Sequence, residues 1–144
     1  MNKPAVLFLC THNAARSQMA EAIFRRHAGD RFEVFSAGIE PTGIHPLTLR
    51  VMEEAGYNLA AHRSKDVSEI MGRHAVRYAF IVCQQAAREC PSIFPALLQT
   101  IHWPFDDPSA CTGTEEERVA EFRRTRDAIE ERIVSWLRHH DTEQ

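Results

Sequence analysis

The chain has 144 residues, 44% hydrophobic and 26% charged, a balance that fits one globular domain with a full core and excludes a disordered or low-complexity chain. A formal charge of −3 leaves no basic excess to neutralise a nucleic-acid backbone, although a small anion can still be bound locally. No apolar run nears the roughly 18 to 20 residues that span a bilayer, and the N-terminus lacks the basic-then-apolar layout of a signal peptide, so a cytoplasmic protein with no nucleic-acid or membrane partner is expected.

The first element is "AVLFLC", Ala5 to Cys10, a continuous apolar run of the kind that forms a strand buried on both faces of a parallel sheet. A helical pattern follows, with Met19, Ile23 and His27 at i, i+4, i+8 and an end at Gly29. The run "FEVFSAG" is the second strand. Pro46 reads as a first helical residue, with Leu47, Val51 and Ala55 behind it and an end at Gly56. "YAFIVC" and "LLQTIHW" are the third and fourth strands. Thr114 and Glu117 form a T-x-x-E capping box for the last helix, whose Val119, Phe122, Ile129, Ile133 and Trp136 keep helical spacing to the C-terminus.

Strands that alternate with helices predict an α/β fold: a single domain over residues 1–144, with about four parallel strands and helices on both faces. No repeat, linker or low-complexity tract breaks the chain. Ligands of such sheets bind at the carboxyl ends of the strands, which is where Cys10 falls.

Beyond Cys10, residues Thr11, His12, Asn13, Ala14 and Ala15 lead into the start of a helix, whose unpaired amides and positive dipole end suit a tetrahedral oxyanion. The same field favours the thiolate, so Cys10 is a candidate nucleophile. Arg16 offers a planar fork to two oxyanion oxygens, Ser17 a hydroxyl to the thiolate, and Asn13 a side chain that tolerates positive φ in a tight loop. Without that setting, Cys10 would be an ordinary buried cysteine at a strand end. Four cysteines, Cys10, Cys83, Cys90 and Cys111, are too few for a secreted disulfide scaffold.

The segment "CTHNAARS" resembles the C-x5-R-S phosphate loop of the low-molecular-weight protein tyrosine phosphatases, and more closely the thioredoxin-coupled arsenate reductases built on that fold. The likeness extends through "RSQMAEAIF", "FSAGIEP", the "HRS" at His62 to Ser64 and "HWPFDDP" at His102 to Pro108. It implies that Asp107, directly before Pro108, protonates a leaving oxygen, as the chemistry of a poor leaving group requires. On local sequence alone Asp107 is equally a turn residue.

The resemblance also implies roles for two remote thiols. Cys10 attacks arsenate, Cys83 attacks the Cys10 sulfur and releases arsenite, and Cys90 converts the Cys10 to Cys83 disulfide into a Cys83 to Cys90 disulfide presented to thioredoxin or a glutaredoxin. A phosphatase would need only Cys10, Arg16, Ser17 and Asp107, and is the alternative. Were residues 83 to 90 one helix, seven steps of 1.5 Å would part the Cα atoms by roughly 10.5 Å. A disulfide spans only about 4.4 to 6.8 Å, so this segment is expected to be irregular or to unwind, and to be mobile. A zinc site from Cys83, Cys90, His102 and Cys111 is a weaker rival because the first pair lacks C-x2-4-C spacing. Cys111 has no implied role and no cofactor is expected.

Two departures from the family pattern stand out. His12 replaces a common glycine, and Ala15 stands where many relatives have another cysteine. Some reductases of the family hold potassium through residues matching Asn13, Glu21 and Ser36 with a nearby aspartate. Here that aspartate's place is taken by Lys65, whose ammonium would substitute for the ion, and Asp66 follows it. The residues after the "DP" read "SACTGT" with no tyrosine, which favours a small inorganic oxyanion, arsenate or phosphate, over an aromatic phosphoester.

Overall fold

The computed structural model describes residues 3–82 and 99–142, and in them a four-stranded parallel sheet lies in the order β2-β1-β3-β4. The strands are β1 (Ala5–Cys10), β2 (Glu33–Gly38), β3 (Val76–Ile81) and β4 (Gln99–His102). Among the described residues the helices are α1 (Arg16–Ala28), α2 (Pro46–Glu54), the short α3 (Ser68–Met71) and the long α4 (Glu115–Thr142), with a 3-10 turn at Pro108–Ala110.

Every residue of β1 is buried, because β1 has a neighbour on each edge and a covering layer on each face. Its pairing with β2 sets Phe8 opposite Ser36 and Cys10 opposite Gly38, and its pairing with β3 sets Leu9 opposite Ile81. After β1 the chain turns to one side for β2, and later crosses to the other for β3. The carboxyl end of β1 is therefore the topological switch point, where loops on either side diverge and leave a crevice.

The α1 and α4 face carries the aromatic core. Phe8 stacks on Phe80 at 4.9 Å, Phe24 of α1 meets Phe8 edge-on at 5.5 Å, and Trp136 of α4 meets Phe80 edge-on at 5.2 Å. Offset and edge contacts of this kind add to the burial of large apolar area. On the opposite face, Phe35 rests against His74, just past α3, with ring centroids 4.2 Å apart. Among the described residues no helix is long and apolar enough to cross a membrane.

The element boundaries adjust the sequence reading in a few places. Strand β3 ends at Ile81, two residues before Cys83. Helix α3 carries no strong periodic signal, being four residues long. Glu117 N donates to Thr114 Oγ1 at 3.2 Å, which is the expected cap of α4. Cys83 and Cys90, and with them the expected irregular segment, lie outside the described residues.

Candidate active site

The loop between β1 and α1 curls tightly because Asn13 takes φ 52°, the left-handed region that asparagine tolerates. Its carbonyls are turned outward and satisfied there. Cys10 O accepts from Ile39 N, Thr11 O from Glu40 N, His12 O from Thr42 N and from Ser64 Oγ, and Ala14 O from His45 N and from Thr48 Oγ1. With the carbonyls facing out, the intervening amides face the concavity, where an anion would meet them.

No side chain caps α1: its N-cap position is Ala15, at φ −135° and ψ −78°. The first amides and the positive end of the helix dipole are thereby left for a ligand. Gly38 makes the close packing of this loop on β2 feasible, since a Cβ there would sit 2.8 Å from Thr11 O and 2.9 Å from Asn13 N.

Cys10 is 3% exposed at the floor of this loop. Its Sγ lies 3.1 Å from Ser17 Oγ and accepts from Asn13 N at 3.2 Å. Asn13 Nδ2 donates to Ser17 Oγ at 2.7 Å, which occupies a lone pair of the hydroxyl and leaves its proton for the sulfur. Both donors favour the thiolate over the thiol.

Arg16 closes the other side. Its Nη1 donates to Phe105 O at 2.9 Å, and Nη2 lies 3.6 Å from Asp107 Oδ2. Asp107 is carried there by the chain beyond β4, where Phe105 N donates to Val82 O beside β3. Its two oxygens have separate partners: Oδ1 accepts from Ser109 N and Oγ and holds the 3-10 turn, while Oδ2 faces Arg16. One carboxylate thus both holds the turn and lines the cavity of Cys10. Asp106, its neighbour, is exposed.

Cys10, His12, Ala14, Ala15, Arg16, His45, Asp107 and Ser109 line one cavity of about 30 Å³. Thr11, also expected in the loop, is buried and holds its carbonyl outward. The exposed His12 ring is hydrogen-bonded to Glu40 O at 3.0 Å and ties the loop to the segment after β2. A larger surface concavity of about 520 Å³, beside Leu49, Tyr57 and Leu59, has neither a cysteine nor an arginine among its described lining residues, so size does not locate the chemistry.

Behind the loop, Asn13, Glu21 and Ser36 do meet. Asn13 Nδ2 donates to Ser36 Oγ at 3.0 Å, and Ser36 Oγ donates to Glu21 Oε1 at 2.6 Å. The Glu21 carboxylate, 4% exposed, already faces Arg25 at 3.0 Å, His62 at 3.2 Å and the Lys65 ammonium at 3.7 Å. Asn13 Oδ1 is taken by Lys65 N and Gln18 Nε2. The oxygens are occupied and the cationic charge comes from the protein, so these residues do not fit a further cation. Burial pushes Lys65 below the usual lysine range, opposed by Glu21. Among the described residues no cluster of three His, Cys, Asp or Glu could hold a metal ion.

Sequence reasoning missed Gln18 and His45. Gln18 is fully buried and donates to Asn13 and to Arg63 O, bracing the left-handed turn from within α1. A polar residue on the core-facing side of α1 was the available signal. His45 gave none, since its place on the cavity wall depends on how α2 packs.

An amide-lined loop with a cysteine at its floor, an arginine at its rim and an aspartate across the opening is the setting, in an α/β enzyme, for a small oxyanion. The chain belongs to the low molecular weight phosphotyrosine protein phosphatase family, which it matches over residues 5–144. Within that breadth it is 43% identical over 133 residues to an arsenate reductase of Bacillus licheniformis, covering 92% of this chain and 94% of that protein. A solved thioredoxin-dependent arsenate reductase of Corynebacterium glutamicum is 29% identical with a TM-score of 0.70, covering 99% of this chain and 64% of that longer one. A low molecular weight phosphotyrosine phosphatase from Vibrio cholerae has the same fold at 21% identity, with a TM-score of 0.80 over 97% of this chain and 98% of that one.

Proposed function

We propose that this chain reduces arsenate to arsenite, with Cys10 as nucleophile, Cys83 and Cys90 as a disulfide relay and a thioredoxin-type dithiol as electron donor. The observation that carries this reading is the Cys10 sulfur held by Ser17 and Asn13 under an amide-lined loop, in a chain that is 43% identical to an arsenate reductase. A reducing cytoplasm is the compartment that such a thiol relay requires.

The Cys10 thiolate attacks arsenic, one As–O bond breaks, and Asp107 supplies the proton with which that oxygen leaves as water. Arg16 exchanges its contact with Asp107 for the incoming oxyanion, which frees the carboxylate to hold that proton. The Cys83 thiolate then attacks the Cys10 sulfur. The S–As electron pair passes to arsenic, which leaves as arsenite, and a Cys10 to Cys83 disulfide remains. Cys90 attacks Cys83, returns Cys10 to the thiolate, and the external dithiol reduces the Cys83 to Cys90 disulfide. β3 supports this relay because Ile81 pairs with Leu9 and Val82 N bonds Leu9 O, two residues and one residue ahead of Cys83. A glutaredoxin system is the alternative donor.

A second reading, hydrolysis of phosphoesters through a phosphocysteine on Cys10, is favoured by one observation: Cys10, Arg16 and Asp107, three of the four residues that reaction needs, line a single cavity. Arsenate-dependent NADPH oxidation with thioredoxin and its reductase separates the two. Wild type should turn over while Cys83→Ser and Cys90→Ser stop after at most one cycle. Turnover equal to wild type in those variants removes the relay, and hydrolysis of an aryl phosphate with no arsenate turnover establishes the phosphatase. Because Lys65 supplies the cation beside Glu21, activity should be the same in KCl and NaCl at equal ionic strength. A marked, potassium-specific stimulation rejects that.

A further inference from the structure

Helix α2 begins at a residue with three simultaneous ties. His45 Nδ1 accepts from Leu47 N at 3.0 Å and so caps the helix ahead of Pro46. Its backbone N donates to Ala14 O at 3.0 Å, beside the Thr48 hydroxyl that donates to the same carbonyl at 3.1 Å. Its ring lies against Phe122 of α4, with centroids 4.8 Å apart. The start of α2 and the oxyanion loop are thereby one rigid unit, and the imidazole is fixed on the wall of the cavity that also contains Cys10, Arg16 and Asp107.

The cap determines which way the ring's hydrogen points. A nitrogen that accepts an N–H cannot carry a proton, so in the neutral ring the hydrogen is on Nε2. Neutrality is favoured by burial and by Arg118 of α4, against Asp107, which pulls the other way; Cys10, Arg16 and His12 are the other titratable side chains on the same cavity. A neutral donor orients an oxygen of the oxyanion without adding a further full charge to the one on Arg16.

We propose that His45 is a substrate-binding residue: its Nε2–H donates a hydrogen bond to an oxygen of the bound oxyanion, beside the loop amides and Arg16. It thereby sets the orientation of the oxygen that faces Asp107. The proposal rests on the oxyanion-binding reading of the Cys10 loop, and the test keeps the two apart.

The probe is inorganic phosphate, which shares the tetrahedral shape and charge of arsenate, and the readout is protection of Cys10 from iodoacetamide, followed at that residue by mass spectrometry. His45→Asn retains a good helix cap, since asparagine is among the preferred N-cap residues, but its side chain is too short to reach as the imidazole does. His45→Ser, which also caps well, is the second variant should the first be unstable by circular dichroism. In both, the phosphate concentration for half-protection should rise roughly three- to tenfold, the range for loss of one hydrogen bond. The unprotected alkylation rate and the melting temperature should remain close to those of wild type. Equal half-protection in wild type and both variants overturns the role of His45 and leaves it a cap. No protection of wild-type Cys10 at any phosphate concentration overturns the oxyanion reading itself.

Discussion

At the scale of single residues, the sulfur of Cys10 has its state determined by partners three and seven positions away. Asn13 does two jobs through one backbone conformation: its φ of 52° aims its own N–H at the sulfur and its side chain at Ser17. Ser17 then has one hydroxyl proton to give and one charged acceptor within reach at 3.1 Å. A hydrogen bond to a charged group is worth about 1.5 to 3 kcal/mol. Ser17→Ala should therefore move the pH midpoint of Cys10 alkylation upward while leaving the fold intact. An unchanged midpoint would mean that the helix dipole and backbone amides alone set the thiolate.

At the scale of elements, the loop works because three neighbouring segments donate to its outward-facing carbonyls. Residues 39 to 42, Ser64, His45 and Thr48 all bond to it, and β2 lets the backbone approach only because position 38 has no side chain. Gly38→Ala puts a methyl group into contact with the backbone of Thr11 and Asn13, neither of which can swing aside as a flexible side chain would. Overpacking of this kind costs about 1 to 3 kcal/mol. The expected outcome is a lower urea midpoint together with a slower Cys10 alkylation rate, because displacing Asn13 removes donors from the sulfur. A stability loss with unaltered alkylation would show that the strain is relieved away from the loop.

At the scale of the molecule, the pH dependence of stability follows from groups at separate places in the fold. Burial holds His45 and His62 below the usual histidine value of 6.5. Such groups bind more protons unfolded than folded in the window beneath 6.5, so stability is fully present above it and declines as pH falls. Hydrogen bonds from Arg123 and Arg63 hold Glu54 and Glu69 below the usual 4.5, and these add a second decline beneath that value. Urea midpoints should be level from about pH 7 to 8 and fall between pH 6.5 and 5. His62→Gln, which retains a polar partner for Glu21, should flatten the first decline; an equal slope in that variant would assign it elsewhere.

How much of this was legible beforehand depended on whether the signal was local. The buried strand "AVLFLC", the helix starts at Pro46 and Thr114, the C-x5-R-S spacing and the positive φ of Asn13 are all consequences of neighbouring residues, and each can be read from the chain. His45 could not be assigned in that way, and the contacts of Gln18 and Lys65 could be read only in part. A buried glutamine, a capping histidine and a lysine are common, and what they do here follows from α2 packing on α4 and from Gly38 pairing with the segment at Asp66. The sequence by itself determined the loop and the cysteine at its floor, because an oxyanion cradle is built from consecutive backbone amides. Tertiary structure alone decided what surrounds it: the outward-turned carbonyls and the histidine on the cavity wall, since each needs segments that are remote in sequence to be held within hydrogen-bond distance.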